Sequence, residues 1–250
     1  EDTDSFKKRE NIWEYGLYPI ILKRIAEFQE KYGDVPITIS DNQSPNDVLT
    51  SILQSEEAMV GMFTEKEAIH NMLKTITDSV IDINRHFEKA IKNFGGFHCA
   101  KYLPFGMHIS DDNAAFLSPD TYREFSKPYN EILAKEFGGI AFHCCMGHEQ
   151  NLGNMSETKG FLGFDAMPDY NNIDKIVERI QSKGVWNVYN FSYAVRPERQ
   201  QVTSDEIWFK NIIDKCQDKC GLVLNVYSED KDNALRLAEK IKNYSERTVF

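Results

Sequence analysis

No stretch of this sequence approaches the ~18 consecutive apolar residues that a membrane-spanning helix needs, and no signal-peptide pattern opens it. Positive charge is in deficit. Lys and Arg number 29 against 39 Asp and Glu, a formal net charge of −10, so there is no basic stripe of the kind a nucleic-acid surface requires. Neither a GxGxxG turn nor a P-loop follows any predicted strand, which weakens a nucleotide-binding open sheet. Low-complexity linkers and short internal repeats are missing too. Cysteine is scarce and odd in number, five in 250 residues. A chain this long builds a core without disulfides, so reduced thiols and a cytoplasmic location are expected. The chain opens at Glu1 rather than Met, and residues upstream are expected.

What is present is enough apolar material for a sizeable core, 41% hydrophobic with 12% aromatic, arranged in two periods. Residues 1–34 are rich in helix formers with a mixed apolar stripe (Ile12, Tyr15, Leu22, Ile25, Phe28) that Gly33 and Asp34 stop. Pro36 to Ser40 is short, β-branched and strand-like. A long helical region from about Asp47 to Phe94 is expected to break near Ser55 and Thr64. Thr64 with Glu67 reads as a capping box, and Gly95-Gly96 as the helix stop. From there strands and helices alternate: Phe105–Ser110, Ile140–Phe142, Phe161–Phe164, Val185–Tyr189 and Gly221–Val226 as strands, with helices between them. Ser118-Pro119 is an N-cap followed by proline at the first helical position, and Pro128 is expected to kink the helix it lies in.

Strands alternating with helices of 10–15 residues indicate βαβ units around a parallel sheet. Asp41, Asp111, Asp112, His143, Cys145, Asp165, Asn190, Asn225 and Ser228 all fall at or just past strand carboxyl ends. A closed barrel gathers such ends into one mouth. The fold class expected is therefore α/β, a TIM (β/α)8 barrel of one domain. Residues 1–34 form its N-terminal helical segment and residues 35–250 the barrel, with a first strand or two upstream of Glu1 or in an unmarked segment.

The sharpest chemical signal is His143-Cys144-Cys145 at the end of the apolar run Ile140–Phe142. Side chains alternate along a strand, so His143 and Cys145 point one way and Cys144 the other. An imidazole and a soft thiolate on one face are half of a tetrahedral zinc site; buried cysteines and a hydrogen-bonded histidine packing a core are the alternative.

The stretch Ile109-Ser110-Asp111-Asp112-Asn113-Ala114-Ala115-Phe116-Leu117-Ser118-Pro119-Asp120-Thr121-Tyr122-Arg123-Glu124-Phe125, with Pro128-Tyr129 beyond it, resembles the uroporphyrinogen decarboxylase superfamily. That superfamily also holds cobalamin-dependent methyltransferases, which move a methyl group from a corrinoid to a thiol. The next strand ends in a His-x-Cys-Gly motif in those methyltransferases, which His143-Cys144-Cys145-Met146-Gly147 approximates with one extra residue. The resemblance is clearest from about Ile109 to Cys145. It implies a TIM barrel, and its His-x-Cys pair favours the methyltransferase branch, in which His143 and Cys145 would be two zinc ligands. The implied third ligand, a cysteine just past the last strand, is missing: Gly221-Leu222-Val223-Leu224-Asn225-Val226-Tyr227-Ser228 has Ser228 there. Cys220 precedes that strand and lies roughly 20 Å from its far end at ~3.3 Å per residue. An oxygen ligand from Asp165, or from Asp111, Asp112 or Glu229, is the expected replacement.

The expected function is thus methyl transfer between a corrinoid and a thiol-type acceptor. His143, Cys145 and Asp165 are taken as the metal set, Asp111, Asp112, Asn225 and Ser228 as catalytic groups, and Asn190 and Tyr227 as cofactor contacts. Two alternatives stand beside it: a cofactor-free uroporphyrinogen decarboxylase of porphyrin biosynthesis, and a non-catalytic barrel that binds a tetrapyrrole or corrinoid. Expected partners are a corrinoid protein or a tetrapyrrole substrate, with a homodimer as the assembly. His108 is taken as a satisfied interior histidine, His148 as an exposed loop residue, His98-Cys99 as structural, and Arg196 and Arg199 as a solvated charged loop.

Overall fold

The fold is seen in a computed structural model that describes residues 6–39, 42–97, 105–181, 183–189, 205–226, 228 and 230–248. After a short 3-10 turn at Ile12–Glu14, α1 (Tyr18–Tyr32) ends at Gly33 with φ 63°. Then follow β1 (Ile37–Thr38), β2 (Asn42–Gln43), α2 (Pro45–Leu53), α3 (Ser55–Thr64), α4 (Lys66–Ala90), β3 (Phe94–Gly96) and β4 (Met107–Ser110). Next come α5 (Pro119–Phe125), α6 (Lys127–Phe137), β5 (Ile140–Cys144), α7 (Leu152–Ser156), β6 (Phe161–Ala166), α8 (Ile173–Ile180) and β7 (Val185–Tyr189). The chain continues through α9 (Asp205–Cys216), β8 (Gly221–Asn225) and α10 (Lys231–Thr248).

All ladders are parallel. One sheet runs β2-β4-β5-β6-β7-β8 and a second pairs β1 with β3. A bridge between Phe97 and Met107 carries the line of β3 onto β4, so the two sheets are continuous at that point. This is the α/β architecture of the TIM-barrel type. Among the described residues no ladder joins β8 to β1 or β2. Among the described residues no helix is long and apolar enough to cross a membrane.

Local sequence explains the elements. Ser44 caps α2 by accepting the Asp47 N–H at 3.1 Å, with Pro45 in the first turn. Ser118 does the same for α5 through the Thr121 N–H at 3.1 Å. The proline-bearing helix is divided at Ser126, so Pro128 lies in the first turn of α6, where its missing N–H costs nothing. In α4, Ile69, Met72, Leu73, Ile76, Ile83 and Phe87 recur at steps of three, four and seven and are buried. Each such side chain contributes about 1.5–3 kcal/mol relative to exposure.

Two expectations fail. Thr64 is the last residue of α3 and donates its hydroxyl to the Val60 carbonyl at 3.1 Å, so it does not cap α4, whose N-cap is Glu65. The i−4 carbonyl of its own helix wins the hydroxyl. Gly95-Gly96 does not stop a helix; α4 ends at Ala90 and the glycines lie in β3. A Cβ on Gly95 would stand 2.9 Å from Thr38 Cγ2, so glycine permits the close approach of β1.

The sheet sorts side chains by face. Ile109, Phe142, Phe164, Ala166, Trp186 and Val188 belong to the main core with Leu73, Leu133, Ile176 and Ile212 from the helices. The opposite face carries His108, Ser110, His143 and Asp165, with Ser110 beside His143 and His143 beside Asp165 in register. Two further residues, Asn187 and Asn225, continue this polar row on β7 and β8; the Asn225 amide donates to Asn187 Oδ1 at 2.7 Å. Polar side chains therefore face the barrel interior, and apolar ones face the helices.

Strand spacing at β6 and β7 leaves no room for a side chain at Gly163, where a Cβ would meet the Val185 carbonyl oxygen at 2.1 Å. Gly163→Ala is expected to destabilise the fold by about 2 kcal/mol or more, read as a fall in Tm of roughly 4–8 °C.

Candidate metal centre at the carboxyl ends of the strands

His143 is the penultimate residue of β5, and its ring is held from both nitrogens. Nδ1 lies 2.7 Å from Asp165 Oδ2 and Nε2 lies 2.9 Å from Cys145 Sγ. The carboxylate assigns the tautomer: Nδ1–H donates to Asp165, and Nε2 presents its lone pair beside the thiol. Asp165 is buried, and His108 Nε2 stands 3.6 Å from the same oxygen, so one carboxylate sits between two imidazoles. His108 is thus interior, as expected, and also belongs to the site. Cys145 is exposed while Cys144 is buried, which is the alternation expected of a strand end. Burial pushes the Cys144 thiol well up, so it stays protonated.

Asp112 enters from the end of β4. Its Oδ1 accepts the Cys145 N–H at 2.7 Å. Donor atoms of Asp112, His143 and Cys145 all lie within 4.8 Å of one another, and so do those of His108, His143 and Asp165. The set expected from sequence, His143 with Cys145 and Asp165, is split between these two groups. The reason is the ring itself: Cys145 and Asp165 meet opposite nitrogens of one imidazole.

Asp111 and Asp112 diverge as adjacent residues at a strand end must. Asp111 is 0% exposed, and its Oδ2 accepts the Tyr122 hydroxyl at 2.6 Å and the Asn130 amide at 3.0 Å. Burial raises its carboxyl pKa, opposed by the hydrogen bonds from Tyr122, Ser44 and Asn130. Through these bonds Asp111, expected as a catalytic group, braces β4 against α5 and α6. Behind it lies Asp47, whose Oδ2 accepts the Asp112 N–H at 2.7 Å and whose Oδ1 accepts the Asn113 N–H at 3.0 Å. Burial first, and the neighbouring Asp111 charge second, push Asp47 up to about 7.

Of the remaining expected residues, Asn225 donates to Asn187 Oδ1 and to the Val188 carbonyl at 3.1 Å. The Ser228 hydroxyl accepts the Asp230 N–H at 3.3 Å, a local turn bond at the start of α10. Asn190 and Tyr227 lie outside the described residues, as do Asp41, His98, Cys99, Arg196, Arg199 and Glu229. His148 is buried rather than exposed; its Nδ1 lies 2.9 Å from the Met146 carbonyl, and burial lowers its pKa. Sequence reasoning missed Asp47, Tyr122, Asn130 and Asn187. The Ser44-Pro45-Asn46-Asp47 capping pattern and the lone amide within the apolar strand Val185–Tyr189 were the available signals.

The family model described as Uroporphyrinogen decarboxylase (URO-D) matches residues 1–185. This chain belongs to the uroporphyrinogen decarboxylase family. Among solved structures, a methyltransferase from Methanosarcina mazei superposes with a TM-score of 0.71 at 18% identity, over 98% of this chain and 69% of that one. A search of curated proteins finds no match. For this uroporphyrinogen decarboxylase family member the likeness to the methyltransferase is one of fold, and the His143–Cys145–Asp165 geometry stands on its own coordinates.

The buried carboxyl of Asp47 gives a signed pH dependence. In the folded protein it keeps its proton up to about pH 7, whereas an unfolded aspartate releases it near pH 4. Folding therefore takes up a proton between these values, and stability falls as pH rises from about 4 to 7. The loss from this group amounts to up to about 4 kcal/mol. Urea unfolding at pH 5 and pH 8 is expected to show a smaller decline for Asp47→Asn than for the parent protein. Parallel declines would remove Asp47 as the source.

Proposed function

We propose that this chain is a zinc-dependent methyltransferase, moving a methyl group between a corrinoid and a thiol-type acceptor at the barrel mouth. The observation that supports the proposal best is the pairing of His143 Nε2 with Cys145 Sγ at 2.9 Å, while Asp165 holds the opposite ring nitrogen. A nitrogen lone pair beside a thiol suits zinc, and a carboxylate on the far nitrogen is the usual companion of a zinc-bound histidine. Zinc, when bound there, lowers the pKa of an acceptor thiol and keeps it as a nucleophilic thiolate.

The chain's own residues set the stage for that chemistry. Asp165 keeps the proton on Nδ1 and stops the imidazole from turning. Cys145 supplies a soft anionic donor at the solvent edge, and Asp112 ties down its backbone N–H. The acceptor thiol loses its proton to solvent at the open mouth. With a methyl-corrinoid presented as substrate, that sulfur would take the methyl group, forming a C–S bond while the electron pair of the broken Co–C bond stays with the corrinoid. The expected partner is a corrinoid-carrying protein docked over the strand ends.

Purified protein is expected to hold about one zinc per chain, with His143→Ala and Cys145→Ser both losing it. Methylcobalamin with 2-mercaptoethanol should yield the methyl thioether, followed through the visible spectrum of the corrinoid. Either variant should slow transfer by more than ~100-fold. Release of CO2 from uroporphyrinogen, undiminished in Cys145→Ser, would turn the assignment to decarboxylation. Corrinoid band shifts without methyl transfer by zinc-loaded protein would leave a binding barrel.

A further inference from the structure

We infer that Asp112 is the third protein ligand of this metal centre, giving a nitrogen–sulfur–oxygen donor set of His143 Nε2, Cys145 Sγ and one Asp112 carboxylate oxygen. The inference rests on the zinc assignment of His143 and Cys145 and adds the residue that completes it. Three observations carry it. The donor atoms of Asp112, His143 and Cys145 lie mutually within 4.8 Å. Asp112 Oδ1 is fastened to the Cys145 N–H at 2.7 Å, which parks the carboxylate beside the sulfur; among the described residues Oδ2 makes no hydrogen bond. The backbone bearing Asp112 is itself pinned, because Asp47 accepts the N–H groups of Asp112 and Asn113 at 2.7 and 3.0 Å.

The other triad, His108 with His143 and Asp165, does not compete for the same ion. It engages Nδ1, which already lies at hydrogen-bonding distance from Asp165, 2.7 Å. That triad also leaves the thiol unused. Asp165 is then an outer carboxylate that orients His143, and His108 backs that carboxylate. Among the described residues just past β8, Ser228 spends its hydroxyl on the turn before α10. One thiolate and one carboxylate neutralise a divalent cation, the imidazole adds no charge, and a fourth position stays open for an incoming thiol.

Cobalt(II) substitution of the 250-residue protein tests this without any turnover. The parent protein is expected to bind Co2+ with a sulfur-to-metal charge-transfer band of a single thiolate. Asp112→Asn and Asp112→Ala should weaken Co2+ and Zn2+ binding by more than the roughly 10–100-fold that loss of an outer partner costs, whereas Asp165→Asn should stay within that range. Asp112→Cys should retain metal and about double the charge-transfer absorption, because a second sulfur then joins the sphere. Unchanged affinity and spectrum in Asp112→Asn and Asp112→Ala, with metal lost in Cys145→Ser, overturns Asp112 alone. So does an Asp112→Cys protein whose spectrum still shows one thiolate. A parent protein that binds neither metal overturns this inference together with the zinc assignment.

Discussion

A single hydrogen bond, from His143 Nδ1 to the buried carboxylate of Asp165, fixes what the mouth of this barrel can do. An imidazole at a strand end is otherwise free to rotate about its side-chain bonds and to exchange tautomers. With its inner nitrogen committed to an anion on the neighbouring strand, the outer nitrogen can only look toward Cys145. That commitment depends in turn on the parallel register of β5 and β6, which sets His143 beside Asp165. Sheet geometry and ring chemistry are therefore one constraint seen at two scales.

Behind this pair lies a second layer of carboxylates whose work is mechanical. Asp47 links the first turn of α2 to the 3-10 turn Asp112–Ala115, across 65 residues of sequence. Asp111 links β4 to α5 and α6 through Tyr122 and Asn130. Burying two acids so close together is unfavourable, and the displaced pKa values record the cost. In exchange, the loop that carries Asp112 is held from below by the Asp47 carboxylate, which accepts its backbone N–H groups.

Much of this was legible in the chain. Alternation of strands and helices gave the barrel class, and the breaks near Ser55 and Thr64 follow from local rules, whereas Pro128, expected to kink one helix, opens a second one after Ser126. The projection of His143 and Cys145 to one side, with Cys144 opposed, follows from strand geometry alone. Contacts between distant segments were illegible. Nothing local says that Asp111 finds Tyr122 or that Asp165 takes the far nitrogen of His143. Short strands were hidden for a related reason. Phe94-Gly95-Gly96 has no alternation to detect, and its pairing with β1 is a matter of tertiary fit.

The two adjacent cysteines carry a last consequence. One sulfur sits among helices and stays protonated, the other stands in water, and their side chains are identical. A slip of β5 by one position would exchange them without changing the thiol on offer at the surface. It would also drive the imidazole of His143 into hydrocarbon and strand the Asp165 carboxylate. Histidine, not cysteine, is therefore the sentinel of strand alignment here: the donor that would bind the metal is the one that punishes misassembly.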